Sequence, residues 1–319
     1  MADYQSSLHG FLEDPVRFKT GGGDSSNSRA KRIVQNTPEV MVKITGNTKG
    51  VTHVASHLDY ISRNGKLKLE TETGEIIESK EGVKELTKQW MSNRGKVNKN
   101  TRETTNIMLS MPRGTNEKAL EKASREFAKK TFSHNYQYVF VLHTDAKNEN
   151  PHIHLTIKNL GHDRKRLHVK KGQPQKWRES FAEELRKQGI DAEASPRAVR
   201  GVVKKGVSQI VRHIKESGRE SSSDRKKVKE IINEYANKDT KEKPWEKKIK
   251  ERQSIVRKTW LEAAKELNKK GDNVFSQEIV KFVKDMPQLK TERHEMKEKI
   301  TKLHKENSKD AGNRDQEER

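Results

Sequence analysis

The chain contains no cysteine among its 319 residues. That excludes a disulfide framework, a thiolate nucleophile and any zinc site built on cysteine. Apolar residues are scarce as well, at 29% hydrophobic and 5% aromatic against 36% charged. So small an apolar share predicts that part of the chain packs a core and the rest is solvated helix or tail. No apolar segment approaches the roughly 20 residues needed to span a bilayer, and the N-terminus lacks a signal peptide's apolar stretch. Both absences point to a cytosolic chain with no membrane insertion. Acidic residues are in deficit too: 46 Asp and Glu face 68 Lys and Arg, a formal charge of +22. An excess of that size suits a polyanionic partner, most often nucleic acid.

What the chain does have is concentrated between Tyr136 and Lys158, YQYVFVLHTDAKNENPHIHLTIK. Val139 to Leu142 form an apolar run too short for a buried helix and rich in β-formers, which predicts a central strand. Asn148, Asn150 and Pro151 mark a turn, and Ile153, Leu155 and Ile157 alternate with polar neighbours in a return strand. Side chains two apart on a strand share a face, so His152 and His154 point together, opposite to the isoleucines. His143 ends the first strand, and the hairpin brings it across from that pair. Three imidazoles and the Asp145 carboxylate can thus converge at one end of a sheet. Neutral imidazole is a common metal ligand, and three protein ligands with open positions suit a catalytic metal.

Around this hairpin the pattern alternates between strands and helices. Residues 1–37, with the run GGGDSSNSRAKR, read as a flexible basic arm. Val40, Val42 and Ile44 predict a strand closed by Gly46 to Gly50. The next segment predicts a helix with Val51, Val54, Ala55, Leu58 and Ile61 on one stripe. At 100° per residue Tyr60 falls off that stripe, on the side of His53 and His57, which read as surface histidines or as a proton acceptor for it. Asn64-Gly65 ends the helix. A helix from about Lys80 to Asn93 buries Val83, Leu86, Trp90 and Met91. A strand holding Ile107, Leu109 and Ser110 stops at Pro112. Asn116 caps a helix with Leu120, Ala123 and Phe127 inward. After the hairpin, Leu167 and Val169 suggest a short strand, and a helix from about Gln175 to Gln188 buries Trp177, Phe181 and Leu185. Together these make an α+β domain over 38–205. Residues 206–319 form a basic, mostly helical C-terminal region, with apolar residues three or four apart at Ile231, Ile232 and Tyr235, at Ile255, Trp260, Leu261, Ala264 and Leu267, and at Ile279, Phe282 and Val283.

Three phrases, taken in order, resemble the motifs of conjugative relaxases in the HUH endonuclease superfamily. They are LDYISRNGKL (Leu58 to Leu67), LSMPRGT (Leu109 to Thr115), and His143, Asp145, Pro151, His152 and His154 in the pattern HxD then PHxH. The likeness is to the MobP-like branch, which includes the T-DNA border nuclease, and covers roughly residues 38–201. It implies a central antiparallel sheet flanked by helices. It implies Tyr60 as nucleophile, His143, His152 and His154 as ligands of Mg²⁺ or Mn²⁺, Asp145 as an orienting or proton-handling group, and Ser110 as a contact to DNA near the cleaved bond. The reaction would be a reversible transesterification on single-stranded DNA at an origin of transfer, leaving a 5′-phosphotyrosyl link. The setting would be a bacterial cytoplasm, with passage of the protein to a recipient cell alongside the DNA. Accessory relaxosome proteins and the coupling protein of a type IV secretion channel would be its partners. Arg63, Lys66, Arg113, Arg197 and Arg200 lie in or beside the motif segments and are candidate phosphate contacts. A non-enzymatic nucleic-acid-binding protein, a rolling-circle replication initiator and a water-using metallophosphodiesterase are the competing readings. The tyrosine precedes the His pair, which favours a relaxase over an initiator.

Overall fold

The computed structural model describes residues 26–94, 97–144, 150–204, 206–207, 209–237, 239 and 241–302. The contacts divide the chain into two compact units, one ending at Ser195 and one starting at Pro196.

The first unit is built on a sheet of six strands in the order β1-β4-β6-β5-β2-β3. The strands are β1 (Met41–Thr48), β2 (Leu69–Thr71), β3 (Ile76–Ile77), β4 (Thr104–Ser110), β5 (Tyr138–His143) and β6 (His152–Lys158). Every pairing is antiparallel. The helices before Ser195 are α1 (Ser26–Val34), α2 (Gly50–Ile61), α3 (Lys80–Ser92), α4 (Glu117–Phe132) and α5 (Gln173–Lys187). The period of two along each strand sorts the side chains into two cores. Ile107, Leu109, Ile153, Leu155, Ile157, Tyr138 and Phe140 pack with Phe127 of α4 and with Trp177 and Phe181 of α5. Val139 and Val141 turn the other way, onto Val54, Leu58 and Ile61 of α2 and Val83, Leu86 and Trp90 of α3. The hairpin β5–β6 lies in the middle of the sheet, and β6 is paired along its length with β4 on one side and β5 on the other.

Three expectations need correcting. The basic arm does not stay open up to residue 37. Ser26–Val34 is helix α1, with Ala30, Ile33 and Val34 buried. Those residues sit at helical spacing and make an apolar edge, and the cations beside them are paired: Arg29 and Arg32 reach Glu193 at 3.2 and 2.9 Å. Strand β1 does not stop at Gly46 but runs to Thr48 through an irregularity between Ile44 and Gly46. A glycine tolerates such a bulge, and pairing with β4 resumes beyond it. Leu167 and Val169 do not form a strand. They pack against the α4/α5 core as irregular chain, with one bridge between Leu160 and Arg166.

The second unit is helical. It begins with a 3₁₀ turn (Arg197–Arg200) and continues through α6 (Gln209–Glu216), α7 (Ser222–Ala236), α8 (Pro244–Lys269) and α9 (Asn273–Asp285), with residues 292–302 also helical. Trp260 anchors it: its Nε1 donates to the Val199 carbonyl at 3.0 Å and its ring meets Phe282 edge-on at 5.4 Å. Of the residues spaced three or four apart, Ile231, Trp260, Ala264, Ile279, Phe282 and Val283 are buried, but Ile232, Tyr235, Ile255 and Leu261 are exposed. Val256, four before Trp260, takes the inward place that Ile255 misses by one position. Among the described residues no helix is long and apolar enough to cross a membrane.

Candidate metal and nucleophile site

The site stands at the end of the sheet where β5 stops and β6 begins. His143 and His152 are directly paired across the two strands, and His154 lies opposite Val141. On the other flank of β6, Ser110 pairs with His152 and Met108 with His154. The imidazole centroids are 4.5 Å apart for His143 and His154, 5.1 Å for His152 and His154, and 5.3 Å for His143 and His152. One ring nitrogen from each can be chosen so that all lie within 4.8 Å of one another, and this is the metal-competent cluster found among the described residues.

Backbone carbonyls fix how two of the rings are used. A carbonyl only accepts, so His143 Nε2 must donate its hydrogen to Ile61 O, at 2.6 Å. Nδ1 is then the ring nitrogen that carries a lone pair to offer a cation. His152 Nδ1 likewise donates to Asn150 O at 2.9 Å, leaving Nε2. Such outer bonds hold metal-binding imidazoles in one tautomer and orientation. His154 is held well below the ordinary imidazole value, at about 3, first by burial and then by His143, His152, His57 and Arg63 around it. It is therefore a neutral donor across the physiological range. This donor set fits a divalent cation: neutral imidazole suits zinc and other later first-row metals, and magnesium or manganese would complete its coordination with oxygen ligands. Asp145, expected beside the trio, lies outside the described residues.

The bond from His143 to Ile61 does more than set a tautomer. Ile61 is the last residue of α2, so the metal-competent cluster is tied to the helix end that carries Tyr60. The tyrosine points off the buried stripe and is 58% exposed. Its ring meets His154 edge-on at a centroid distance of 6.1 Å. The Arg63 guanidinium carbon is 5.6 Å from the centre of the Tyr60 ring. Arg63, Asn64 and Gly65 all have positive φ, and α2 ends in this tight turn. Gly65 is required there: a Cβ would come within 2.4 Å of the Lys80 backbone nitrogen.

The remaining candidates are spread more widely. Ser110 is buried, and its hydroxyl donates to Pro151 O at 3.0 Å. In this state it fastens the end of β4 to the residue that precedes β6. Lys66 is exposed in the turn after α2, and Arg113 is exposed just after β4. Arg197 and Arg200 belong to the 3₁₀ turn of the helical unit.

One site residue was weighed differently from the sequence. His53 is exposed, as a surface histidine should be, but His57 is half-buried and bonds through Nε2 to Thr156 Oγ1 at 2.9 Å. Burial, and secondarily His53, lower its titration to about 4. It therefore sits neutral one helical turn before Tyr60 and on the sheet face of the histidine trio. The signal available in sequence was the position of Thr156, two after His154 on the same strand face.

Comparison with known proteins follows the same stretch. Residues 60–190 match the family model of the MobA/VirD2-like relaxase nuclease domain. The chain is 28% identical over 193 residues to the T-DNA border endonuclease VirD2 of Rhizobium radiobacter, an alignment covering 53% of this chain and 45% of that protein. It is 29% identical over 193 residues to the protein of the same name from Rhizobium rhizogenes, covering 53% of this chain and 43% of that one. The chain thus matches less than half the length of these curated relatives.

Proposed function

We propose, from the premise that this chain carries a nuclease domain of the MobA/VirD2-like relaxase family over residues 60–190, that it nicks one strand of DNA at an origin of transfer by attack of Tyr60 on the scissile phosphate. The observation that carries this reading is the placement of an exposed phenol beside three convergent imidazoles, its ring centre 6.1 Å from that of His154. The P–O bond to the 3′ oxygen breaks, that oxygen leaves as a free hydroxyl, and the 5′ phosphate stays on Tyr60. One phosphoester replaces another, so the step runs in both directions and the same site can rejoin the strand.

A phenol titrates near 10, so little phenolate exists at neutral pH. Its proton needs an acceptor as the new bond forms. His57, neutral and on the same side of α2, is a candidate for that proton. Arg63, set over the Tyr60 ring, would meet the negative phosphate and orient it. His143, His152 and His154 would hold a divalent cation, Mg²⁺ or Mn²⁺ in the family this chain resembles. Such a cation supplies Lewis-acid polarisation of the phosphate and stabilises charge developing on it. Ser110 keeps the β4 end closed on Pro151 and so keeps the trio's strand in register. Lys66 and Arg113 border the same sheet end and would contact flanking phosphates of single-stranded substrate. Arg197 and Arg200 are proposed as further phosphate contacts from the helical unit, and the basic helices as the part that meets accessory relaxosome proteins or a type IV coupling protein.

The test is a covalent one. Single-stranded oligonucleotides spanning the origin region of the carrier element, incubated with Mn²⁺, should give a protein–DNA adduct that survives denaturation. Tyr60→Phe should lower its formation by about 10⁴-fold or more without loss of fold, since the hydroxyl stands on an exposed side chain. An adduct that persists undiminished in that variant, or cleavage without any adduct, rules out the tyrosine mechanism.

A further inference from the structure

Just after helix α2 the backbone turns left-handed for three residues in a row. Arg63, Asn64 and Gly65 have φ of 52°, 58° and 80°. Glycine adopts that conformation freely, but the other two are held there at a cost in energy. One side chain closes the turn from inside. Ser62 is fully buried. Its hydroxyl donates to Asp59 O at 3.3 Å and accepts from Gly65 N at 3.1 Å, so one group spans the whole left-handed run. Backbone bonds work with it: Arg63 N donates to Tyr60 O at 3.2 Å and Asn64 N to Asp59 O at 2.7 Å. Three parts of the site hang on these same few residues. The Tyr60 ring stands edge-on to His154, the Arg63 guanidinium carbon lies 5.6 Å from the centre of the Tyr60 ring, and Ile61 O receives the His143 bond. Ser62 lies between Ile61 and Arg63 in the chain.

We propose that Ser62 is a positioning residue for the nicking reaction: its hydroxyl holds the left-handed turn that keeps Tyr60 and Arg63 beside the imidazole trio. The inference rests on the nicking function proposed above and deepens it by naming what orients the nucleophile. An exposed phenol on the last turn of a helix has little packing to fix it, and helix ends fray. Its direction is therefore set by the backbone on either side. Without the hydroxyl, the buried Gly65 N–H loses its acceptor, and the strain at Arg63 and Asn64 is released as φ returns to negative values. The guanidinium then leaves the tyrosine ring, and the phenol loses its fixed approach to a phosphate. A misplacement of about 1 Å costs an enzyme ~100-fold in rate. A buried serine that only stabilised the fold would leave the rate of a folded chain at saturating substrate unchanged.

The experiment follows adduct formation by the full chain with Mn²⁺ and the origin-spanning oligonucleotide, well below the melting transition. Ser62→Ala should lower the maximal rate about 100-fold, with KM and Mn²⁺ affinity within about threefold of wild type. In the same variant, amide exchange at Asn64 and Gly65 should rise about tenfold or more. Adding Asn64→Gly, which takes the left-handed conformation without strain, should bring the rate back to within about fivefold of wild type. A packing role for Ser62 gives no such rescue. If Ser62→Ala does not fold, Asn64→Val decides alone. Its side chain is exposed, a β-branched residue resists positive φ, and the maximal rate should fall about tenfold. A wild-type rate in Ser62→Ala, unchanged exchange, a loss confined to KM or metal affinity, or a loss that Asn64→Gly does not repair overturns the proposal. So does a wild-type rate in Asn64→Val. A wild-type chain that forms no Tyr60 adduct fails the nicking reading and this inference with it, whereas a wild-type adduct with any of those results fails the inference alone.

Discussion

In the sheet unit, burial is two-sided. Leu109, Ile153 and Leu155 face α4 and α5, Val139 and Val141 face α2 and α3, and both sets are almost fully enclosed. In the helical unit, burial is a stripe: Val256, Trp260 and Ala264 along α8, answered by Ile279, Phe282 and Val283 of α9, with charged side chains elsewhere along α8. Both units pair carboxylates with cations: Arg29 and Arg32 on Glu193 and Arg94 and Arg166 on Glu103 in the sheet unit, and Lys243, Arg293 and Lys297 on the partly exposed Glu234 in the helical unit. The sheet unit in addition encloses imidazole and threonine, as with His143 and the bonded pair Thr48 and Thr104. Two-sided packing can hold several side chains to within fractions of an ångström, which metal and phosphate chemistry require. A stripe of apolar contacts gives a helix assembly its shape and leaves its surface to bind by charge.

The largest expected effect tests how far the stripe rests on one residue. Trp260→Ala removes the indole, its bond to Val199 O and its contact with Phe282. A large aromatic truncation in a core costs ~3–5 kcal/mol. That cost should unfold the helical unit while Mn²⁺ still binds the histidine trio, measured by calorimetry beside thermal melts. Loss of metal binding in this variant would mean that the two units do not divide the work as their cores suggest.

The converse substitution is His154→Ala. It removes one ligand of three and should lower Mn²⁺ or Zn²⁺ affinity by at least ~100-fold, given that even outer-shell partners are worth 10–100-fold. The helical unit's unfolding transition should not move. Metal affinity within a factor of three of wild type would eliminate the trio as the cation site.

Much of this division was readable from the chain. The period of two placed His152 and His154 on one face, and the 100° rotation put Tyr60 outside the apolar stripe of α2; both follow from local geometry alone. What was not readable depends on partners remote in sequence. His57 reads as a surface histidine until Thr156 arrives from 99 residues away. Arg29 and Arg32 read as a solvated arm until Glu193 folds onto them. Glu103 reads as an ordinary acidic residue until Arg94, from before β4, and Arg166, from after β6, close on it at 3.6 and 3.4 Å. In the helices of the second unit, apolar residues are so sparse that a one-residue error of phase, Ile255 for Val256, changes which side faces inward.

Acid should separate the units in a set order. His57 and His154 titrate at about 4 and about 3 in the folded chain, against an ordinary value of 6.5. Their folded values are depressed, so as pH falls below 6.5 the unfolded chain takes up protons that the fold refuses. Their contribution is intact above pH 6.5 and is lost progressively down to about pH 3. Glu234 is lowered from 4.5 to about 2, first by the bond from Lys243 and with further help from Lys297 and Arg293. Its contribution is intact above pH 4.5 and is lost only as pH falls toward 2. In metal-free protein, amide signals of the sheet unit should therefore weaken before those of the helical unit during acid titration. The opposite order would contradict the assignment of neutral, buried imidazoles to the sheet.

The smallest effect compares two helix caps of similar geometry. Asn116 accepts a hydrogen bond from the Ala119 nitrogen at 3.0 Å at the start of α4, and Ser221 accepts one from the Asp224 nitrogen at 3.1 Å at the start of α7. Replacing either by alanine removes a partner from an otherwise orphaned N–H and costs ~1 kcal/mol. Where that cost appears should differ. Helix α4 is pinned by Leu120, Ala123, Phe127 and Phe132, so its first turn cannot open without disturbing the core. Asn116→Ala should lower the global stability of the sheet unit and speed amide exchange throughout it. Helix α7 buries Ile231 but exposes Ile232 and Tyr235. Ser221→Ala should let its first turn fray, raising exchange at Asp224 and Arg225 several-fold while the amides near Trp260 keep their rates. Equal, unit-wide changes from both caps would mean that the helical unit is as cooperative as the sheet, and that a single apolar stripe suffices to couple its helices.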